Sequence, residues 1–302
     1  MAVIDSAGLV LPRDIADTMI RKTQDGSVVA QLSASEPFRF GNTDIVTVNQ
    51  VPKAEFVGEG ADKGSTVETF SYVTATPKKA QTTLRFNEEV QWRDQDYQLG
   101  VLNELATAAA ESLPRALDLA VLHGINPLSG AALSGSPAKL ADAATVITAA
   151  GAPEAEVEAT IAAQLAPGGF PTGVALSPDY AFAYATQRYP EDHARAGELV
   201  NPGLPLNPRE VGSIRGLTAA VSDTVAAPEA ASAAAKKIKA IVGNWNAGVR
   251  WGVARQLPVE IIKFGDPDGQ GDLKRKNQIA LRLETAWVWY VDPTKFALVK
   301  AA

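Results

Sequence analysis

Between Asp44 and Phe86, hydrophobic and polar residues follow the strand period of two. Ile45, Thr47 and Asn49 alternate with Val46 and Val48, and Pro52 then interrupts. Gly58-Glu59-Gly60-Ala61-Asp62-Lys63-Gly64-Ser65 has the composition of a turn. Val67, Thr69, Phe70, Tyr72, Val73, Thr74 and Thr76 supply a β-forming return strand, and Lys79 to Phe86 alternates as a further strand. The pattern predicts a long polar hairpin. Its tip has little apolar surface, so the hairpin is expected not to bury itself on its own chain but to lean on a neighbouring copy. From about Asp94 to His123 the spacing changes to three and four. Leu102, Leu105, Ala109, Leu113, Ala116 and Ala120 then share one face of a long helix. Asp94 can cap its start, Gly124 ends it, and Pro114 predicts a kink or break.

The residues before the hairpin, 1–43, are broken by Pro12, Gly26, Pro37 and Gly41 and read as an arm. A short helix is predicted near Arg13 to Lys22, with Ile15, Met19 and Ile20 on one side. Val28, Val29, Leu32, Phe38 and Phe40 are too scattered to make a core alone and must lie on another surface. Beyond Asn126 the chain is rich in alanine. Ala138 to Ala150 and Pro153 to Ala166 read as small helices, and Val174 to Leu176 as a short buried strand. Ser177-Pro178-Asp179 opens a helix running to about Arg188. Strands are predicted near Ser213 to Ser222, Ala240 to Gly243 and Val259 to Phe264, with a polar loop at 265–272. Ile279 to Val291 is a long strand, with Leu281, Leu283, Thr285, Trp287, Trp289 and Val291 on one face. Phe296 to Lys300 is the last strand, and Trp245 and Trp287 are expected anchors. Short strands and helices in no strict βαβ order predict an α+β fold.

Composition narrows the chemistry. The 302 residues are 46% hydrophobic and 21% charged, which suits a folded chain with a sizeable core. A net charge of −6 gives no chain-wide attraction to nucleic acid. The basic runs at Lys78-Lys79, Lys236-Lys237 with Lys239, and Lys274-Arg275-Lys276 read as solvated charge. There is no cysteine, and the only histidines, His123 and His193, lie far apart without a ligand motif. No cofactor or metal is expected. The amino terminus lacks the pattern of a signal peptide, and no run of about 18 uncharged apolar residues suggests a membrane span. Folding in a cytoplasm is expected. Glu88-Glu89 and Asp94 with Asp96 are paired carboxylates, but neighbours on a strand diverge, and charge at a helix start explains them better. Gly58 and Gly60 lack the third glycine of a dinucleotide fingerprint. Ser177 reads as a helix cap rather than a nucleophile. Asp266, Asp268 and Asp272 lack the downstream glutamate of a calcium loop and read as a turn.

The order of parts resembles the major capsid protein of tailed phages with the Hong Kong 97 fold. The likeness is carried by KAEFVGEG from Lys53, KKAQTTLRFNEE from Lys78, DLAVLHG from Asp118, LSPDYAFAYAT from Leu176, the stretch from Asn201 to Asp223, IVGNW from Ile241 and YVDPTKFA from Tyr290. IVGNW has Asn244 where the family usually has an acid. Taken in order, these segments span nearly the whole chain.

The resemblance implies an N-terminal arm at 1–43, an extended loop hairpin at 44–86, and a spine helix with peripheral domain at 87–125. It further implies an axial domain at 126–249, peripheral return strands at 250–291 and a C-terminal axial strand at 292–302. It implies hexamers and pentamers of this chain closing an icosahedral head around double-stranded DNA, in contact with a portal and with separate scaffolding or decoration proteins. Lys53, Glu55, Phe56, Glu59, Asp62, Lys63 and Glu68 of the loop are the expected inter-subunit contacts, with the charged ones setting register more than affinity. Met1 stands a few dozen residues before the hairpin, so no cleaved scaffolding segment is expected. Some family members crosslink a loop lysine; Lys53 and Lys63 are better read as soluble charge. The alternatives are a nanocompartment shell, which shares the fold but encloses an enzyme, and a soluble enzyme.

Overall fold

The computed structural model describes residues 26–48, 56–59, 70–89, 111–133, 135, 138–228, 231, 236–256 and 260–302. The short helix expected near Arg13 to Lys22 lies outside them. So does the amino-terminal part of the long helix.

The first element is α1 (Val28–Leu32), N-capped by Ser27, whose side chain accepts the Ala30 N–H. Next come β1 (Thr43–Val48) and β2 (Phe70–Ala75), paired antiparallel with Thr43 opposite Ala75 and Val48 opposite Phe70. They form a two-stranded sheet by themselves. β3 (Lys78–Asn87) does not extend that pair but runs antiparallel to β11 (Gln278–Val291). The helix α2 covers 111–123 without interruption through Pro114, so no break occurs within the described stretch. Gly124 ends it at φ 65°, its N–H bonding the Ala120 carbonyl at 3.0 Å. That is a left-handed cap, which glycine adopts without steric cost.

The predicted helix over Ala138 to Ala150 is not present. In its place are a single 3-10 turn at Leu140–Asp142 and a strand, β4 (Thr145–Thr148). The reason is local: Thr-Val-Ile-Thr is a β-branched run, stiff at χ1, and the parallel edge of β12 (Phe296–Lys300) lies open to it. Alanine content alone misled. α3 (Pro153–Leu165) forms as expected, with proline in the first turn and Glu154 and Glu156 at its positive end. β5 (Gly173–Leu176) is buried throughout and leads into α4 (Pro178–Thr186). Ser177 stands at the N-cap position of α4, but its side chain makes no capping hydrogen bond to the helix. The strand predicted over Ser213 to Ser222 is a hairpin instead. β6 (Ser213–Ile214) and β7 (Leu217–Val221) are joined by Arg215 and Gly216 at φ 50° and 80°. Two successive positive φ values mark the tight turn that matches strand twist.

β8 (Ile238–Gly243), the one-turn helix α5 (Trp245–Gly248), β9 (Val249–Gln256) and β10 (Glu260–Ile262) precede β11. The six-stranded sheet has the order β4-β12-β8-β5-β7-β6. The four-stranded sheet has β11 at its centre, bonded to β3, β9 and β10. Alternation assigns the faces of the larger sheet. Ala175, Ile241 and Leu298 face the main core, with Leu117, Val121, Trp245, Trp287 and Trp289. Val174, Leu176, Val242 and Val299 face a second core built on Val157, Tyr180 and Tyr184 of α3 and α4. Helices thus cover one face, and α1, α2 and the tryptophans of the smaller sheet cover the other.

The motif IVGNW has a packing explanation. A Cβ at Gly243 would run into the Phe296 ring and the Lys295 carbonyl, and one at Gly248 into the same ring. The Asn244 side chain accepts the Ala247 N–H, as a carboxylate would. Trp245 is fully buried, meets Phe296 edge-on at 5.2 Å and donates from Nε1 to the Gly173 carbonyl at 3.1 Å. Trp245 and Trp287 are both core residues, as expected.

Candidate functional site

The β1–β2 hairpin has two unlike faces. On the inner one, Ile45 and Ala75 are buried against Val288 of β11, with Phe38, Ala254 and Tyr290 partly buried beside them. The root of the hairpin therefore does pack on its own chain, contrary to the expectation from its polar tip. Ile45 and Ala75 are small and few, but β11 presents a complementary apolar residue at the right place. On the outer face Val46 lies directly opposite Tyr72, and they are 50% and 70% exposed. Beside them the Thr74 hydroxyl donates to Asp44 at 2.6 Å. Phe40, just before the hairpin, is also exposed.

Of the residues predicted to make contacts, Phe56 and Glu59 are described, and both are exposed; Phe56 has no cover at all. Lys53, Glu55, Asp62, Lys63 and Glu68 lie outside the described residues. The Val46–Tyr72 pair was not singled out from sequence as a contact. Its signal was present in the alternation, since both residues take the phase opposite Ile45.

The surface on which the arm was expected to lie is, over residues 27–38, that of its own chain. Val28, Val29 and Leu32 belong to the main core of this chain. The anchor is Asp118 of α2, wholly buried. It accepts from the Ser27 hydroxyl at 2.5 Å, the Val28 N–H at 3.0 Å, the Val29 N–H at 3.2 Å and the Thr224 hydroxyl at 2.9 Å. Burial pushes its pKa above the usual carboxylate value, and these donors pull in the opposite direction. One turn further on, the His123 ring nitrogen Nε2 lies 3.0 Å and 3.1 Å from the Thr224 and Val225 carbonyl oxygens. Both neighbours are acceptors, so Nε2 carries the proton, and burial holds the imidazole below its ordinary pKa.

The candidate chemistry elsewhere is taken up by structure. Asp266 and Asp268 both bind the Arg85 guanidinium, and Asp272 accepts the Arg275 N–H. The Arg85 hydrogen bond holds Asp268 below the usual carboxylate range. Glu88 pairs with Lys274 at 3.1 Å. Among the described residues no group of three or more His, Cys, Asp or Glu could hold a metal ion. No described helix is long and apolar enough to cross a membrane. What the hairpin offers on its outer side is an exposed apolar pair, Val46 and Tyr72.

The sequence matches the phage capsid family over residues 7–173. The chain belongs to the phage capsid family. Among solved structures it is similar to one from Mycobacterium phage Ogopogo, with 39% identity over 92% of each chain and a TM-score of 0.79. Another, from Gordonia phage Cozz, is 28% identical over 91% of this chain and 86% of that one, with a TM-score of 0.74. A capsid of an empty GTA particle, computed with C5 symmetry, shares the fold at a TM-score of 0.62 and 12% identity, covering 92% and 90% of the two chains. No curated protein matches. A phage capsid protein has a structural role.

Proposed function

We propose that this capsid protein assembles through its hairpin into hexamers and pentamers that close an icosahedral phage head around double-stranded DNA. The observation that carries this reading is the hairpin's two-faced build. Its inner side is fixed on Val288, while Val46, Tyr72 and Phe56 point apolar surface at solvent. A shell subunit must satisfy several neighbours, and obligate interfaces bury on the order of 2,000–5,000 Å². A protruding hairpin adds contact area at small cost in chain length. In this reading the loop lies over the adjoining subunit. There Phe56 acts as an apolar contact, and Lys53, Glu55, Glu59, Asp62, Lys63 and Glu68 set register.

The four-stranded sheet with α2 corresponds to a peripheral domain of the Hong Kong 97 arrangement, and the six-stranded sheet with α3 and α4 to an axial domain. The similarity to a GTA capsid computed with C5 symmetry supports ring-like self-association. Membership of the phage capsid family favours a DNA-filled head over a nanocompartment shell. Assembly takes place in the host cytoplasm, with a portal and any scaffolding or decoration proteins as further partners. The net charge of −6 suits a wall that does not grip its DNA. Shortening the tip between Gly58 and Gly64 is expected to leave a folded subunit that no longer closes shells. Normal heads from that variant under the electron microscope would refute the reading.

A further inference from the structure

We propose that residues 27–38 form a strap that ties the hairpin root to the end of α2, so that a displacement of the hairpin is felt at Asp118. The strap is pinned at both ends by unlike means. At its start, Asp118 receives the Ser27 hydroxyl and the Val28 and Val29 amides, beside the Thr224 hydroxyl, so its donors among the described residues are neutral. In its middle, Leu32 reaches the larger sheet, where a Cβ at Gly173 would come within 3.0 Å of it. The Trp251 indole donates to the Ser33 hydroxyl at 3.0 Å. Ser35 bridges Trp251 in parallel, and the Glu36 N–H donates to the Trp251 carbonyl at 2.8 Å. At its far end, the Arg250 guanidinium clasps the Glu36 carboxylate through Nε and Nη2 at 2.7–3.0 Å.

Gly252 is what lets the strap lie this close. A Cβ there would collide with the Glu36 carbonyl and the Phe38 ring. Phe38 then seats beside Ile45, Ala75 and Val288, directly under the hairpin root, and β1 begins a few residues later. The path from the hairpin root to the buried carboxylate is thus one stretch of backbone, hydrogen-bonded from Ser27 to Glu36 and then seated through the Phe38 ring. It touches the six-stranded sheet at Gly173 and the four-stranded sheet at Trp251. A coupling claim needs an element whose release is separable from global unfolding. The strap is short and bridges a sheet at Ser35, with polar pins at Asp118, Trp251 and Arg250 and with Val28, Val29 and Leu32 set in the main core.

The test is hydrogen exchange followed by mass spectrometry on the full-length purified subunit, so it does not depend on whether the hairpin contacts a neighbour. In Asp118→Ala, peptides over 27–38 and 43–48 are expected to exchange about tenfold faster, because the direct acceptor of the Val28 and Val29 amides is gone. Peptides over 238–243 and 296–300 are expected to keep wild-type protection. Glu36→Gln, at the half-exposed end, is the second variant and carries the test if Asp118→Ala does not fold. It is expected to loosen 33–38 and the hairpin and, through the strap, to speed exchange of the Val28 and Val29 amides as well. Unchanged exchange in 27–38 would overturn the proposal. So would loss of protection in 238–243 in step with the strap, or a hairpin indifferent to both variants.

Discussion

Strands β8 and β1 each have six residues, and both are rich in β-formers. Their fates differ. β8 lies between β12 and β5 and is buried at nearly every position, Lys239 excepted. β1 has one partner, β2; it buries Ile45 on β11 and leaves Val46 in solvent. The difference lies in what covers the second face, not in strand propensity. Inside the body both faces of a strand find apolar cover within the same chain. At the hairpin the root does, and Val46 and Tyr72 on the outer face stay exposed. Substitutions in the body should therefore be read out as stability, and substitutions on the hairpin as assembly.

The sharpest way to break that contrast is Trp245→Ala. It removes a fully buried side chain, its edge contact with Phe296 and its bond to Gly173, and is expected to cost about 3–5 kcal/mol in urea unfolding. Gly243→Ala should cost roughly 1–3 kcal/mol by overpacking against Phe296, visible as a lower urea midpoint with an unchanged slope. A stability close to wild type in either variant would mean that the body is not the rigid half of the comparison.

Acid supplies a subtler test. His123 is buried and neutral, its pKa depressed below 6.5 by burial. The unfolded chain therefore takes up the proton first. The stability that His123 contributes is complete above about pH 6.5 and is lost as pH falls through the depressed value. Asp118 has the opposite sign: its raised pKa means the fold holds that proton more tightly, so its contribution is complete below about pH 3.8 and weakens as pH rises through the raised value. Urea midpoints measured from about pH 7 down to about pH 5 should fall less steeply in His123→Phe than in the wild type. Equal slopes would remove His123 from the account. The smallest stability effect belongs to the hairpin. Val46→Ser with Tyr72→Ser should change unfolding by no more than about 0.5 kcal/mol per site, as exposed positions do, while sharply reducing shell yield by electron microscopy.

Much of this contrast was legible in the sequence. Period two marked β1, β2, β3 and β11, and period three to four marked α2. The proline-led starts of α3 and α4 and the glycine end of α2 were also visible. Three things were hidden, each because a partner distant in sequence decided it. Residues 145–148 became a strand because the edge of β12 was open to them, against an alanine-rich background that read as helix. The hairpin root packed because Val288, more than two hundred residues away, supplied its cover. The arm folded onto the body because Asp118 and Trp251 offered acceptors and donors that no local pattern announces. The outer-face pair Val46 and Tyr72 was half visible: the alternation gave their phase, but only the register of β1 against β2 placed them side by side.

The most direct measurement compares hydrogen exchange in the isolated subunit with that in the assembled particle, over residues 43–48 and 70–75. If the hairpin is the contact between copies, those amides slow markedly on assembly while 238–243, already buried, hardly changes. Equal exchange in the two states, with the hairpin as open in the particle as in the single chain, would contradict the account.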